Sequence, residues 1–240
     1  MLQVIPHALL SVLYPQDCRI CKNSVEDASD GVVCGDCWLN TLIFAGDEIL
    51  CKKCGAFLRE SESLIAAFCH RCDDHFYDSA RAVGIYDNAL TASILYLKQT
   101  PHIAPRLRKL LINAFEISSF SDDSLIIPVP LSGRRLLERG FNQAGLIATV
   151  VAKYAKMDLD EHSLIRTVHT PIHRAAMDRK ARERSVKNAF RIVRPRLIDG
   201  RNILLVDDVL TSGATVSNCA KALKKSGASE VNVLTLARAA

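Results

Sequence analysis

The residues best equipped for chemistry are two adjacent carboxylates, Asp207 and Asp208, and the small, hydroxyl-rich run that follows them, Thr211, Ser212, Gly213, Ala214 and Thr215. Ile203 to Val206 is an unbroken aliphatic run, the pattern of a strand covered on both faces in a parallel sheet. Carboxylates placed where such a strand stops fall in the crevice beyond the strand ends, where open α/β sheets bind ligands. From Thr211 to Thr215 a helical pattern opens, with Val216, Cys219, Ala220 and Leu223 on one face, and ends near Gly227. Small residues let the backbone approach a ligand, and the N–H groups of a helix start attract anions. The turn therefore suits a phosphate, and the acids suit sugar hydroxyls or a metal. A strand–turn–helix capped by Asp and Thr is the plain alternative, but a cap needs one polar residue, not two carboxylates and a loop.

A second constellation is basic. Leu125 to Val129 reads as another buried strand, stopped by Pro128-Val129-Pro130. Ser132, Arg134, Arg135, Arg139, Asn142 and Gln143 follow before the helix Ala144 to Tyr154. Arginine offers forked, permanently charged donors, so this stretch suits a diphosphate. A solvated helix start capped by Asn142 is the alternative.

The third constellation is sulfur. Eight of the nine cysteines form four Cys-x2-Cys pairs: Cys18 and Cys21, Cys34 and Cys37, Cys51 and Cys54, Cys69 and Cys72. Each pair puts two thiolates on one tight turn, and two turns close a tetrahedral structural zinc site. Two zinc ribbons in tandem are expected, repeating at 33 residues from Cys18 to Cys51, with Gly55 suited to a knuckle turn. The spacing leaves open how the pairs share two zinc ions. Disulfides fit poorly with spacing this regular in a chain with no recognisable secretion signal, and Fe–S clusters are a weaker rival. Closed four-cysteine sites leave no position for water, so the zinc is structural. His70 and His75 could substitute as metal ligands, but eight cysteines already complete two sites, so both read as ordinary surface residues; Trp38, Leu39, Leu42, Ile43 and Phe44 read as a helix packed on the ribbon.

The elements that must hold these groups follow from length and pattern. At 240 residues the chain accommodates one α/β core and a small accessory unit. No apolar run approaches the length of a membrane span, which with the thiols points to a cytoplasmic protein. Met1 to Leu13 carries a helical stripe ended by Tyr14-Pro15. Ala80 to Tyr86 reads as a strand, and Ala89 to Leu97 and Ala104 to Ile117 as helices, which puts a domain boundary near residue 77: 1–77 for the helix and double ribbon, 78–240 for the core. Lys98, at a helix end, either reaches a diphosphate or, the plainer reading, stays on the surface, and Cys219 reads as a small buried apolar residue. The net charge of +5 is uneven. Residues 1–77 hold six basic and eleven acidic side chains, a balance of −5, whereas 166–201 hold eleven basic and three acidic, a balance of +8. That segment is either a solvated loop or a contact for a polyanion.

The stretch from Ile203 to Thr215 resembles the PRPP-binding signature of type I phosphoribosyltransferases. With the cysteine pairs, Ile127 to Ser132 and the run Arg139-Gly140-Phe141-Asn142-Gln143-Ala144, the whole chain resembles the ComF family, which includes ComFC and GntX-like proteins. The resemblance implies an α/β, parallel-sheet phosphoribosyltransferase-like domain preceded by a double zinc ribbon. It implies ribose contacts for Asp207 and Asp208, a 5-phosphate cradle from Thr211 to Thr215, and a pyrophosphate site at Ser132, Arg134, Arg135 and Arg139. It implies PRPP or a related ribose phosphate as ligand, with Mg²⁺ held mainly by substrate oxygens. One segment departs from the family pattern. Ahead of Ala189-Phe190 the family tends to carry Gln, Arg and Asn, whereas here His173 or Arg174, Arg182 or Arg184, and Ser185 stand in those places. In phosphoribosyltransferases this segment is the hood that excludes water, so the departure leaves open whether phosphoribosyl is transferred to a nitrogen acceptor. The rival readings are a single-stranded DNA-binding protein of DNA uptake without turnover, using the basic segment, and ribbons that dock a protein partner. No residue stands out as a general base, and the sequence names no acceptor.

Overall fold

The computed structural model describes residues 16–58, 67–69, 72, 74–168 and 189–239. The expected Met1–Leu13 helix, His70, and the hood positions His173, Arg174, Arg182, Arg184 and Ser185 lie outside them. The elements are α1 (Gly35–Leu39), β1 (Ser79–Ile85), α2 (Asn88–Leu97), α3 (Pro105–Ile117), β2 (Leu125–Pro128), α4 (Gly133–Arg139), α5 (Gln143–Ala155), β3 (Leu164–Arg166), β4 (Phe190–Ile192), β5 (Asn202–Leu210), α6 (Ala214–Lys225) and β6 (Glu230–Arg238). Among the described residues β1, β6, β5 and β2 form, in that order, a wholly parallel sheet, and β3 and β4 pair antiparallel beside it.

The aliphatic run in β5 is continuous because both its faces are covered. Leu204 and Val206 join a core with Val83, Ile126 and Leu234 beneath α2, α3 and α5. Ile203 and Leu205 face the other way, with Ile127, Val231 and Val233 against α6. Two alternating apolar sets leave no polar position between Ile203 and Val206, as expected of a buried parallel sheet. One expectation needs correcting. The strand does not stop at Val206 but runs on to Leu210, because β6 keeps pairing with it: Asp207 opposite Thr235, Leu210 opposite Arg238.

The two ribbons serve opposite faces. Cys18, Cys34 and Trp38 belong to the first core, and Cys51, Cys54, Cys69 and Cys72 to the second. The first ribbon is fastened to α3 by Arg106, which pairs with Asp30 at 2.9 Å and lies 5.2 Å from the Trp38 ring centroid. The expected helix through Phe44 is shorter than its apolar run. It ends at Leu39, and Leu42–Phe44 run extended along the outer edge of β1, where Ile85 N–H donates to Leu42 O and Phe44 N–H to Val83 O. An edge strand is thereby covered. Gly84 is required at this crossing, since a Cβ there would run into Leu42 O. The second ribbon seats on the start of β1 through Ala80 N–H to Lys53 O at 2.6 Å. No helix among the described residues is long and apolar enough to cross a membrane.

Candidate functional site

The four thiols of Cys18, Cys21, Cys34 and Cys37 converge, as do those of Cys51, Cys54, Cys69 and Cys72; within each group the sulfurs lie within 4.8 Å of one another. This answers the question of pairing that the spacing left open: consecutive pairs share a site. The donor chemistry fits a structural zinc in each tetrad. Against the desolvation that opposes it, backbone N–H groups of Cys21, Cys34 and Ile20 pull Cys18 down to about 6. Burial and then the neighbouring thiols push Cys37 up to about 12, and burial with Coulombic repulsion from Cys54 pushes Cys72 up. Four crowded sulfurs ionise together only around a cation.

The cleft lies at the carboxyl ends of β2 and β5, a cavity of about 360 Å³ lined by Lys98, Arg135, Arg139, Arg166, Asp207, Asp208 and the Thr211–Thr215 turn, among others. Three structural features position its walls. Asn142 caps α5 by accepting from Ala144 N–H at 3.2 Å, and its amide also donates to Val129 O at 3.1 Å, which fixes the helix start to the end of β2. Arg139 donates to Oε1 of buried Gln143 at 2.7 Å, setting the guanidinium across the gap between α4 and α5. Gly213, with φ +75°, turns the chain into α6 so that the amino terminus of that helix opens on the cleft.

Electrostatics across the cleft are paired. Lys98 Nζ stands 3.1 Å from Asp208 Oδ2. Burial first, then repulsion from Asp208, pushes Asp207 up to about 8, although Asp208 N–H donates to its Oδ1 at 2.9 Å. Burial and Arg139 draw Arg135 below its ordinary value, with Glu138 and Asp208 opposing. A ligand rich in hydroxyls beside the acids and in negative charge beside the arginines is what these groups complement.

The structure does not gather every residue singled out in the sequence. Asp207, Asp208, Thr211, Ser212, Ala214, Thr215, Arg135 and Arg139 line the cleft. Gly213 lies between it and a second cavity. Arg134 is not brought in: its side chain is 70% exposed and pairs with Glu138 at 2.9 Å. The stretch forms a helix, so Arg135 and Arg139, four apart, share a face from which Arg134 is turned by about 100°. Ser132 is buried at the start of α4 and does not line the cleft. Lys98, for which a surface place was the plainer of two readings, is a wall of the cleft. Arg166 was not singled out. It ends β3 with its guanidinium 5.5 Å from the Phe190 ring centroid, and only its place in the basic segment hinted at it. Cys219 is buried, as expected.

His75, expected to be an ordinary surface residue, is packed against the turn. It stacks on Tyr77 with ring centroids 5.0 Å apart. A Cβ on Gly213 would come within 2.8 Å of His75 Nε2 and 3.3 Å of the Tyr77 hydroxyl. Gly213→Ala is therefore expected to lower stability by about 2–4 kcal/mol, from left-handed strain and overpacking together. Denaturant unfolding checks this, and a loss below about 1 kcal/mol counts against a rigid turn.

Residues 9–75 match the double zinc ribbon domain family and residues 97–240 the phosphoribosyl transferase domain family. The chain is 33% identical over 200 residues to a protein named DNA utilization protein YhgH of Escherichia coli (strain K12), covering 80% of this chain and 85% of that one. It is 29% identical over 231 residues to competence protein F of Haemophilus influenzae, covering 92% and 96%. It is 28% identical over 228 residues to competence protein ComFC of Bacillus subtilis (strain 168), covering 84% and 89%.

Proposed function

The chain belongs to the ComF family, in which a double zinc ribbon precedes a phosphoribosyl transferase domain, and from that premise we propose that it binds PRPP in the cleft between β2 and β5. The observation that carries this reading is one cavity walled by an acid pair, a helix amino terminus and two arginines. In it Asp207 and Asp208 accept from the 2- and 3-hydroxyls, and the Thr211–Thr215 N–H and hydroxyl groups surround the 5-phosphate. Arg135 and Arg139 neutralise the diphosphate, with Lys98 and Arg166 on the rim.

The cleft fits Mg²⁺ only in company with the ligand. Asp207 is held protonated near neutral pH and Asp208 is bound to Lys98, so the protein offers few oxygens of its own. When bound, the ion would supply charge neutralisation on the diphosphate. If phosphoribosyl transfer occurs, the chain's own part is to hold the ribose still and spread the leaving-group charge over arginines. The reduced thiols of the tetrads suit a cytoplasmic protein. Calorimetry with PRPP and Mg²⁺ tests the reading: wild type binds and Asp207→Asn/Asp208→Asn does not. Equal affinity in the two sinks it.

A second reading, single-stranded DNA binding, is favoured by the names of the relatives and by the exposed Arg191, Arg194 and Arg196. The Arg179–Lys187 charges lie outside the described residues. With six phosphate contacts, raising salt from 50 to 200 mM is expected to weaken binding by about 10³-fold. Affinity for a 30-nucleotide strand that barely changes with salt excludes an electrostatic contact.

A further inference from the structure

Between α3 and α5, on the outer side of the first core, lies a groove of about 420 Å³ that shares no lining residue with the cleft. The two helices run the same way, as crossovers of a parallel sheet do. Tyr154 in the last turn of α5 donates to Glu116 in the last turn of α3, and Leu146 in the first turn of α5 lines the groove together with the Pro101–Ile103 loop that leads into α3. The floor is aliphatic. Ile112, Leu146 and Val150 stand half-buried beside buried Ile103, with Leu146 and Val150 one turn apart on one face of α5. The rim is basic. His102 on the loop, Arg108 in the first turn of α3 and Lys153 in the last turn of α5 are exposed, and none of the three is ion-paired among the described residues. No carboxylate lines the groove.

We propose that this groove docks an acidic peptide segment of a protein partner, its apolar side chains on the floor and its carboxylates against the rim. Charge placement chooses this occupant over a lipid. Arg108 and Lys153 stand towards opposite ends of the groove and on different helices, so they match charge spread along a ligand and not the single head of an acyl chain. The floor chooses it over a nucleic acid. The one aromatic ring, Tyr154, commits its hydroxyl to Glu116, and aliphatic stripes on two neighbouring helices receive leucine or phenylalanine side chains better than they stack bases. An apolar centre within a charged rim is also the make-up of a protein interface. The inference is independent of the PRPP reading, because the groove and the cleft have no wall in common.

The test is fluorescence anisotropy on the full zinc-loaded chain, with a labelled peptide of about ten residues that alternates aspartate with leucine and phenylalanine. It is expected to bind, and to bind about tenfold more weakly or worse when serine replaces its apolar residues or asparagine its aspartates. Arg108→Glu/Lys153→Glu is expected to weaken the peptide about tenfold or more, whereas Lys22→Glu/Lys52→Glu, the same change of charge at exposed ribbon positions, leaves it within about twofold. Val150→Glu puts a carboxylate in the floor and is expected to act like the first pair, with zinc content and thermal melting verifying the fold of each variant. No binding of the aspartate peptide, equal binding of its serine version, or equal losses in the two double variants overturns the proposal. A single-stranded oligonucleotide whose affinity falls in Arg108→Glu/Lys153→Glu while that of the peptide does not would assign the groove to nucleic acid instead.

Discussion

Cys72→Ser is expected to release one zinc and, with it, much of the affinity of the neighbouring cleft for PRPP, whereas Cys34→Ser releases one zinc and leaves PRPP binding nearly intact. The difference comes from what each tetrad holds. Apparent binding energies of structural zinc are about 10–16 kcal/mol in small peptides, far more than a ribbon this small gains from its apolar contacts, so losing one ligand of four unfolds the local knuckle. Beyond Cys72 the chain reaches the turn almost at once. His75 N–H donates to Cys72 O at 3.1 Å, the His75 ring packs on Gly213, and Phe76 N–H donates to Ser217 Oγ at 3.1 Å in the first turn of α6. Tyr77, fully buried, lies beneath the same turn. Melting the knuckle frees the Thr211–Thr215 backbone to leave the geometry in which its N–H groups converge, a loss of about 1.5–3 kcal/mol, or about 10- to 100-fold in affinity. Cys34 belongs to the opposite face, among Trp38, Val83 and α3, and touches none of these residues. Zinc release to a chromogenic chelator and calorimetry on the two variants check this. Equal PRPP losses in both would mean that zinc matters only for folding at large.

The parts of this arrangement that could be read in the sequence are those carried by local pattern. The aliphatic runs at 125–129 and 203–206 gave the central strands because burial on both faces removes every polar position, and the Cys-x2-Cys spacing announced the tetrads because each turn must bring two sulfurs to one ion. What escaped was set by partners distant in sequence. Lys98 reaches Asp208 across 110 positions, and no spacing rule links a helix-end lysine to a strand-end carboxylate. β5 runs past the acids only because β6 offers Thr235 through Arg238 in register. α4 has no buried residue, hence no apolar period to mark it as helical, and without the helix the three arginines seemed equivalent. His75 was hidden for a different reason. Beside a cysteine ligand a histidine is weighed as a possible metal donor or a surface residue, and its real neighbour, Gly213, lies at the far end of the chain.

The acid pair carries the second large effect, in which binding and stability move in opposite directions. Asp207 is raised from an ordinary 3.8 to about 8, mainly by burial and then by Asp208. Between about pH 4 and pH 8 the folded chain therefore keeps a proton that the unfolded chain gives up. Because the folded state binds more protons there, this group makes stability fall as pH rises through that window, and its contribution levels off above about pH 8. Asp207→Asn removes the ionisation while keeping the shape, so the ligand-free variant is expected to be more stable than wild type by about 1–3 kcal/mol at pH 7.5, each kcal/mol raising Tm by about 2–4 °C. The same change deprives a ribose hydroxyl of a charged acceptor, which is expected to lower PRPP affinity by about 10- to 100-fold. In wild type, binding to the carboxylate requires that the proton leave, so PRPP affinity is expected to rise from pH 6 to pH 8 over the range in which the ligand-free fold weakens. Thermal melts and calorimetry at three pH values separate the two trends. A destabilised Asp207→Asn, or one whose stability keeps the wild-type slope with pH, would show that the pair is a structural ion cluster and not a site kept under electrostatic strain for a ligand.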